Sequence, residues 1–380
     1  MSDNKYKILL SPPHLSGREM SFIQDAFEKN WIAPLGENTR KFEEDICTFL
    51  GENMYATALN TGTAALHLAM ILLGVGKDDY VICQDLTFVA TVNPVLYLGA
   101  KPVLVDSEKE TWNISPDFLE VAIKDCIKKG KKPKAIVWVN LYGMPAKIKE
   151  IKEIAQKYEI PLLEDAAESL GSEYKKRKCG TFGDISVISF NGNKIITTSN
   201  GGMLLSKNKY YTDRAHFLSS QARDDAPYYQ HSVIGYNYRI SNITAGIGRG
   251  QITVLPERIS SRRANNAFYQ KAFENIPGII VHKEPNEDFF SNHWLSCILV
   301  DPKQTGGIDR EKIRLKLLEA RIESRPVWKP MHLQPLFEHC TFYGEGVSTE
   351  LFDMGLCLPS GSNLSQEELE EIKNVILACF

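Results

Sequence analysis

Long apolar runs are absent from this sequence of 380 residues. None approaches the roughly 18 consecutive apolar residues that a membrane helix needs, and residues 1–7 lack the apolar region of a secretory signal peptide. An excess of positive charge is also missing, because the formal net charge is -3. The sequence therefore predicts a cytoplasmic protein that binds neither a membrane nor a nucleic acid.

Paired cysteines are absent as well. The eight cysteines are scattered, with no Cys-x-x-Cys pair and no close cluster with histidine. A zinc ribbon and a disulfide framework are both disfavoured, and no metal site is predicted. The lysine-rich run at 128–134 could be a polyanion patch or a solvated turn. The turn is favoured because the run links a helix to a strand and the rest of the chain is not basic.

The common nucleotide-binding motifs are missing too. No Gly-x-Gly-x-x-Gly follows a predicted strand, since residues 246–250 have the wrong spacing and context, and no P-loop lysine motif occurs. A nicotinamide-dependent dehydrogenase and a P-loop ATPase are therefore disfavoured.

Short β-rich runs alternate with helical periodicity from residue 56 to residue 205. Strands are predicted at 80–83, 102–105, 135–139, 161–163, 185–190 and 203–205, with helices near 63–73, 88–98, 116–128 and 147–157. This α/β alternation predicts a mostly parallel sheet that helices cover on both faces. Ligands of such sheets bind at the carboxyl ends of the strands.

The pattern changes after residue 250. Strands are predicted at 278–282 and 294–300, a helix at 309–321, and a terminal helix opened by a capping box from Ser365 to Glu368. We therefore divide the chain into a large α/β domain, residues 1–250, and a smaller α+β domain, residues 251–380.

Polar residues stand where the predicted strands end. Asp165 follows a buried strand, although it could simply cap a helix that starts at Ala166. The turn Thr61-Gly62-Thr63 leads into a helix whose N-terminal N–H groups could hold an anion, and it could equally be an ordinary helix start. His67, on the apolar face of that helix, is interpreted as a core residue rather than a ligand.

Lys194 distinguishes these alternatives. It follows a core strand and lies among Ser189, Asn191 and Asn193. A lysine in a loop is ordinarily interpreted as a solvent-exposed surface residue, which is the alternative for Lys194. A partly desolvated lysine in an α/β cleft gives up its proton more readily and can form a Schiff base. Lysine for an aldehyde, aspartate for a ring nitrogen and a helix end for a phosphate together match pyridoxal 5'-phosphate.

Eight ordered segments carry a resemblance to a known family: residues 10–14, 30–36, 61–68, 163–171, 189–198, 235–239, 325–332 and 357–361. They resemble the DegT/DnrJ/EryC1/StrS nucleotide-sugar aminotransferases, and within that family the enzymes of the UDP-N,N'-diacetylbacillosamine pathway and related exopolysaccharide enzymes. The resemblance implies the fold of the aspartate aminotransferase superfamily, known as fold type I. The large domain is then expected to contain a mostly parallel, seven-stranded sheet.

The resemblance also implies roles for single residues in binding the cofactor. Lys194 would bond to the cofactor and Asp165 would pair with its ring nitrogen. The other implied cofactor contacts are Phe88 on the ring, Glu168 beside the ring hydroxyl, and Gly62, Thr63 and Ser189 at the phosphate. On pattern alone Phe88 could be a core residue and Glu168 a helix surface residue.

A homodimer with shared active sites is implied as well. Asn237 and Arg239 would reach the partner's site, Asn237 at the phosphate, although a packed loop within one chain is the alternative. The implied contacts of the sugar nucleotide are Arg239, Asn30, Trp31, Ile32, Ala33, Arg325, Pro326, Val327, Trp328 and His332. Ordinary loop packing is an equal alternative for Ile32 and Val327.

The implied reaction has two stages. L-Glutamate gives its amino group to the cofactor, which becomes pyridoxamine 5'-phosphate, and a UDP-linked 4-keto-6-deoxy N-acetyl sugar then accepts it at C4. GDP- or dTDP-linked ketosugars are alternative acceptors. A related sugar dehydratase, which carries histidine in place of the lysine, is disfavoured by Lys194, and a non-catalytic regulator is disfavoured because no residues are left for a DNA-binding domain.

One position departs from the family pattern. Asn200 stands where the most similar relatives usually have glycine, and we expect asparagine to tolerate a positive φ there.

Overall fold

The computed structural model describes residues 5–380, and its helices and strands follow the predicted alternation closely. The strands are β1 (Tyr55–Leu59), β2 (Tyr80–Gln84), β3 (Lys101–Val105), β4 (Ala135–Val139), β5 (Leu162–Asp165), β6 (Glu173–Tyr174), β7 (Arg177–Lys178), β8 (Ile185–Ser189), β9 (Gly202–Ser206), β10 (Ile279–Val281), β11 (Phe289–Phe290), β12 (Ser296–Val300), β13 (Arg325–Pro326), β14 (Thr341–Tyr343) and β15 (Gly355–Leu358). The α-helices are α1 (Glu19–Glu28), α2 (Glu37–Leu50), α3 (Gly62–Leu72), α4 (Asn93–Tyr97), α5 (Pro116–Lys128), α6 (Ile148–Tyr158), α7 (Lys209–Ser219), α8 (Asn242–Ile252), α9 (Leu255–Phe273), α10 (Arg310–Glu319), α11 (Val347–Met354) and α12 (Gln366–Leu377).

The large sheet is mostly parallel, as predicted, but it has eight strands rather than seven. Its order is β1-β9-β8-β5-β4-β2-β3-β14. Strand β9 pairs antiparallel with β1 and β8, and the other pairs are parallel. The extra strand, β14, comes from the C-terminal part of the chain and pairs with the edge strand β3.

Successive apolar residues of the strands point to opposite faces of this sheet, so that each face has an apolar core. Helices cover both faces. In β2, Val81 and Cys83 belong to the cluster that contains residues of α3, whereas Ile82 belongs to the cluster that contains residues of α5 and α6. Each large side chain buried in this way contributes about 1.5–3 kcal/mol to the free energy of unfolding. Within residues 5–380, no helix has the length and apolar character needed to cross a membrane.

A second sheet, ordered β10-β12-β15-β13, packs with α9, α10 and α12 around its own core. The capping box at the start of α12 is present, with Ser365 and Glu368 in the predicted roles. The division at residues 250 and 251 stays a prediction, and two segments extend across it. Ile8 packs into the core of the second sheet, and β14 joins the large sheet.

Two aspartates at the ends of β2 and β3 attach the C-terminal segment to the large sheet. Asp85 accepts hydrogen bonds from His332 Nδ1 at 2.7 Å and from Ser348 Oγ at 2.7 Å. Asp106 accepts the backbone N–H groups of residues 345–348 at the start of α11. Burial by itself would raise the pKa of Asp106, but these N–H donors outweigh burial and leave the pKa below its ordinary value.

We expect Asp106→Asn to lower the free energy of unfolding by about 2 kcal/mol, because an amide nitrogen would face backbone N–H donors. The control Asp225→Asn, in an exposed loop, should change it by less than about 0.5 kcal/mol. Urea unfolding measures both. Because the folded pKa of Asp106 is lowered, its stabilisation is present above about pH 4 and is lost as pH falls further. A gap between the two variants that does not narrow as the pH falls below about 4 would contradict this account.

Candidate active site

A cleft opens at the carboxyl ends of β5 and β8, beside the start of α3. This is the end of a parallel sheet where ligands bind. The cleft brings together residues that are far apart in the sequence. Those predicted from the sequence that line it are Gly62, Thr63, Phe88, Asp165, Glu168, Ser189, Lys194 and Trp328.

Asp165 is the last residue of β5, and its carboxyl group is buried at the base of the cleft. Thr91 donates its hydroxyl to Oδ2 at 2.7 Å, and the N–H of Ala167 donates to Oδ1 at 3.1 Å. No helix begins at Ala166, because the chain forms a turn there. Burial raises the pKa of Asp165, so a cationic ring nitrogen placed beside this carboxyl would be a favourable partner.

The start of α3 forms a candidate anion site on one side of the cleft. Thr61 caps the helix and accepts the N–H of Ala64. A Cβ on Gly62 would lie 3.0 Å from the Ser189 Cβ, so glycine allows the helix start to approach β8 closely. The free N–H groups of the first turn and the Ser189 hydroxyl, which both line the cleft, are suitable donors for a phosphate.

Lys194 projects into the cleft from the loop after β8. Its side chain is 11% exposed, and its Nζ lies 3.4 Å from Glu168 Oε1. The same nitrogen lies 4.0 Å from the centroid of the Trp294 ring. The amine, the Asp165 carboxyl and the helix start therefore share one cavity, and this donor set fits pyridoxal 5'-phosphate.

Glu168 is buried in the cleft wall rather than exposed on a helix, so the surface interpretation is wrong. It accepts the backbone N–H of Tyr142 at 2.7 Å. Burial raises the pKa of Glu168, and the Lys194 amine acts in the opposite direction. This carboxyl group can therefore exchange or share a proton close to the lysine.

Two contributors to the cleft were missed by sequence reasoning. Thr91 was placed within a helix near 88–98, and Trp294 was placed at the start of a strand that in fact begins at Ser296. Trp294 donates its Nε1 hydrogen to the carbonyl oxygen of Asn193 at 2.7 Å. A large aromatic residue between polar residues and a strand was the signal available for Trp294.

Three residues predicted to contact the sugar nucleotide instead make contacts within the protein, away from the cleft. Arg239 is buried, and its guanidinium lies 3.3 Å from Glu43 in the same chain, so it is not available to a partner's site in this arrangement. Val327 is buried in an apolar cluster, as the packing alternative predicted. His332 bonds to Asp85 and stacks on Phe342, and does not line the cleft.

The other predicted contacts are solvent-accessible. Arg325, Pro326 and Trp328 line an adjoining pocket that shares Asn193, Trp294 and Trp328 with the main cleft. Residues 30–33 form an exposed loop against the start of α8. Asn237 is exposed at the surface.

The turn that contains Asn200 is present, but its backbone conformation differs from the expected one. The positive φ, 70°, falls on Ser199 rather than on Asn200. Asn200 itself lines the cleft, so its side chain adds an amide to the polar rim. Its tolerance of a left-handed conformation is therefore not needed here.

Comparisons with known proteins agree with this site. The model of the DegT/DnrJ/EryC1/StrS aminotransferase family matches residues 13–377. The chain is 48% identical to the pyridoxal phosphate-dependent aminotransferase EpsN of Bacillus subtilis, over 98% of this chain and 96% of the relative. It is 38% identical to a GDP-perosamine synthase of Escherichia coli O157:H7, over 94% of each.

A solved structure of a DegT/DnrJ/EryC1/StrS aminotransferase from Brucella abortus has a TM-score of 0.88 and 27% identity, over 96% of this chain and 95% of that one. The fold, the cofactor and the class of reaction predicted from the sequence are therefore confirmed. The chain belongs to the DegT/DnrJ/EryC1/StrS family of pyridoxal phosphate-dependent sugar aminotransferases.

Proposed function

We propose that Lys194 is the residue that bonds to pyridoxal 5'-phosphate, and that the enzyme transfers the amino group of L-glutamate to the C4 ketone of a nucleotide-linked 4-keto-6-deoxy sugar. One observation carries the assignment of Lys194. Its amine is the lysine nitrogen of the cleft that also contains the buried Asp165 carboxyl and the α3 helix start. These are the groups that the aldehyde, the ring nitrogen and the phosphate of the cofactor require.

Different residues of the chain have different roles in the proposed reaction. The bound cofactor supplies a ring that withdraws electrons from the carbon that loses its proton. The freed amine of Lys194 would accept that proton and would return it to the carbon on the other side of the amino nitrogen. Asp165, with its two fixed hydrogen bonds, would keep a proton on the ring nitrogen. Phe88 and Trp328, whose ring centroids lie 5.2 Å apart, provide an apolar wall that limits access of water.

The preferred acceptor is UDP-2-acetamido-4-keto-2,6-dideoxyglucose, for bacterial glycan or exopolysaccharide synthesis. This part of the proposal rests on the resemblance to the bacillosamine-pathway enzymes. A GDP-linked ketosugar is the second candidate, because the chain is 38% identical to a GDP-perosamine synthase. The exposed Arg325 and the half-buried Trp328, in the pocket that adjoins the cleft, are suited to contact either nucleotide.

A homodimer with shared active sites completes the proposal. The phosphate end of the cleft has backbone N–H groups and hydroxyls from its own chain. Asn237 is exposed, and the segment before it exposes the apolar side chains of Tyr228, Tyr229 and Ile234, which is typical of a surface that a second copy covers. An amide from the partner would add a neutral donor to the phosphate. The cytoplasmic location stays a prediction from the sequence.

Lys194→Ala should lower the rate of transamination by at least about 10³-fold, because both the covalent bond and the proton carrier are lost. The variant should still bind the cofactor noncovalently. Borohydride reduction followed by mass spectrometry should find the cofactor attached to Lys194 in the natural protein and to no residue in the variant. Lys152→Ala, which changes an exposed lysine outside the cleft, is the control and should retain both properties. A reducible link that persists in Lys194→Ala would refute the assignment.

A panel of UDP-, GDP- and dTDP-linked 4-keto sugars tests the acceptor. With L-glutamate as donor, 2-oxoglutarate should form fastest with the UDP-linked N-acetyl sugar, and kcat/KM for it should exceed the others by about tenfold or more. A higher kcat/KM for a GDP-linked sugar would establish the second candidate instead. No 2-oxoglutarate with any sugar would count against the aminotransfer reaction itself.

Mixing two inactive variants tests the shared site. Lys194→Ala and Asn237→Ala chains, combined under conditions that exchange subunits, should form heterodimers in which one of the two sites is intact. Up to about half of the natural activity per heterodimer should return. Heterodimers verified by native mass spectrometry that stay inactive would contradict a contribution of Asn237 to the partner's site.

A further inference from the structure

Two cysteine side chains face each other in the second sheet. Cys297 in β12 and Cys357 in β15 are directly opposite in the antiparallel pairing of the two strands. Their Sγ atoms lie 3.6 Å apart. Directly opposite residues of antiparallel strands have Cα atoms about 4.5–5.5 Å apart, which is within the range that a disulfide bond spans. The backbone therefore already has the spacing that a bond between the two sulfur atoms requires.

One of the two thiols is at the wall of the pocket that adjoins the cleft. Cys357 lines this pocket together with Tyr142, Arg325 and Trp328, and Cys297 is not among the residues that line it. Both cysteines are otherwise buried in one apolar cluster. Burial raises the pKa of the Cys297 thiol, which makes Cys297 a poor first nucleophile. A small reagent that enters the pocket would therefore meet the sulfur of Cys357 first.

Tyr142 connects the two thiols to the candidate active site. It belongs to the same apolar cluster, and burial, followed by the neighbouring thiols, raises the pKa of its hydroxyl. That hydroxyl accepts the N–H of Trp328 at 2.7 Å, and the N–H of Tyr142 donates to Glu168 Oε2 at 2.7 Å. Trp328 and Glu168 both line the cleft. A movement of the two sulfur atoms should therefore displace residues of the cleft through Tyr142.

We propose that Cys297 and Cys357 form a modification site, at which a low-molecular-weight disulfide oxidises the two thiols to a disulfide bond within the chain, and that this bond weakens the use of the nucleotide-linked sugar. The sulfur of Cys357 attacks the reagent, a mixed disulfide forms, and one reagent thiol leaves with a proton. The sulfur of Cys297 then attacks the sulfur of Cys357, and the second reagent thiol leaves with the second proton. Two protein thiols are oxidised, and one reagent disulfide is reduced to two thiols.

The size of the required movement sets the expected effect on the reaction. Bond formation would bring the sulfur atoms from 3.6 Å to about 2 Å, so each would move by roughly 0.8 Å. Protein interiors are close-packed and transmit such a shift to their neighbours. A misplacement of about 1 Å in an active site can lower the rate by up to about 10²-fold. We therefore expect kcat/KM for the sugar to fall by about tenfold, an expectation that rests on the proposed function.

The first test treats the full-length holoenzyme with 2-hydroxyethyl disulfide, a small neutral reagent. Peptide mapping without reduction should find Cys297 linked to Cys357, with the loss of two hydrogen atoms. In Cys297→Ala, or in Cys297→Ser if the alanine variant does not fold, the reaction should stop with one reagent thiol attached to Cys357. In Cys126→Ala, which removes a buried thiol from α5, the bond should form as in the natural protein.

The half-buried Cys47 shows in the same samples that the reagent is active. Cys297 and Cys357 that stay unmodified while Cys47 reacts would overturn the proposal. A reagent thiol that stays on Cys357 in the natural protein, with no link to Cys297, would overturn it as well.

The second test follows activity during the same treatment. In the natural protein, kcat/KM for the preferred nucleotide-linked sugar should fall as the bond forms and should return on addition of dithiothreitol. The double variant Cys297→Ala/Cys357→Ala retains the remaining cysteines, so it should lose no activity relative to its own untreated sample. A bond that forms without loss of activity, or an equal loss in the double variant, would overturn the effect on the sugar.

The untreated enzyme separates this inference from the proposed function. If it converts none of the nucleotide-linked sugars, the proposed function is overturned, and the mapped bond still decides whether the two thiols form a modification site. If it converts a sugar and no bond forms, only this inference is overturned.

Discussion

The hydrogen bonds of one buried carboxylate, Glu164, hold the part of the sheet on which the cleft is built. Glu164 accepts the side-chain amide of Asn140 after β4, the hydroxyl of Ser186 in β8, and the backbone N–H groups of residues 180, 182 and 183. Three parallel strands and the loop between β7 and β8 are therefore fixed to one group. Loss of any of these contacts would leave a buried charge incompletely satisfied, which proteins strongly avoid.

Asp165, the next residue, differs from Glu164 in its direction and in the number of its hydrogen-bond donors. Successive side chains of a strand point to opposite faces of the sheet, so Glu164 points into the packed side and Asp165 into the cleft. Glu164 has a full set of donors, whereas Asp165 has two, from Thr91 and Ala167. The fold satisfies the first carboxylate and leaves the second with a raised pKa and room for a cationic partner. Because Glu164 holds the strands in place, the carboxyl group of Asp165 can stay accessible to a ligand.

The sequence was sufficient to predict the positions of residues that stand at or just after the ends of helices and strands. Asp165, Gly62 and Lys194 could be predicted to lie together because each stands at, or in the loop that follows, a strand end or a helix start of an α/β fold. Trp294 and Thr91 could not, because their roles depend on contacts with residues 74 or more positions away. Arg239 and His332 were interpreted as substrate contacts because a motif shows which residues occur but not which way they point. Arg239 is instead paired with the half-buried Glu43, and His332 with the buried Asp85.

The orientation of Asn237 follows from an aromatic stack that the tyrosine-rich segment makes with α3. Tyr236 and Tyr238 stack on each other at 5.0 Å, and both contact His67, which lies in the core as predicted. Because residues on either side of Asn237 turn toward the helix, the asparagine between them must turn away from it. The helix whose first turn forms the candidate anion site is therefore also the one that turns Asn237 to the outside. The contacts of His67 therefore join this helix to the segment whose surface we propose a second copy covers.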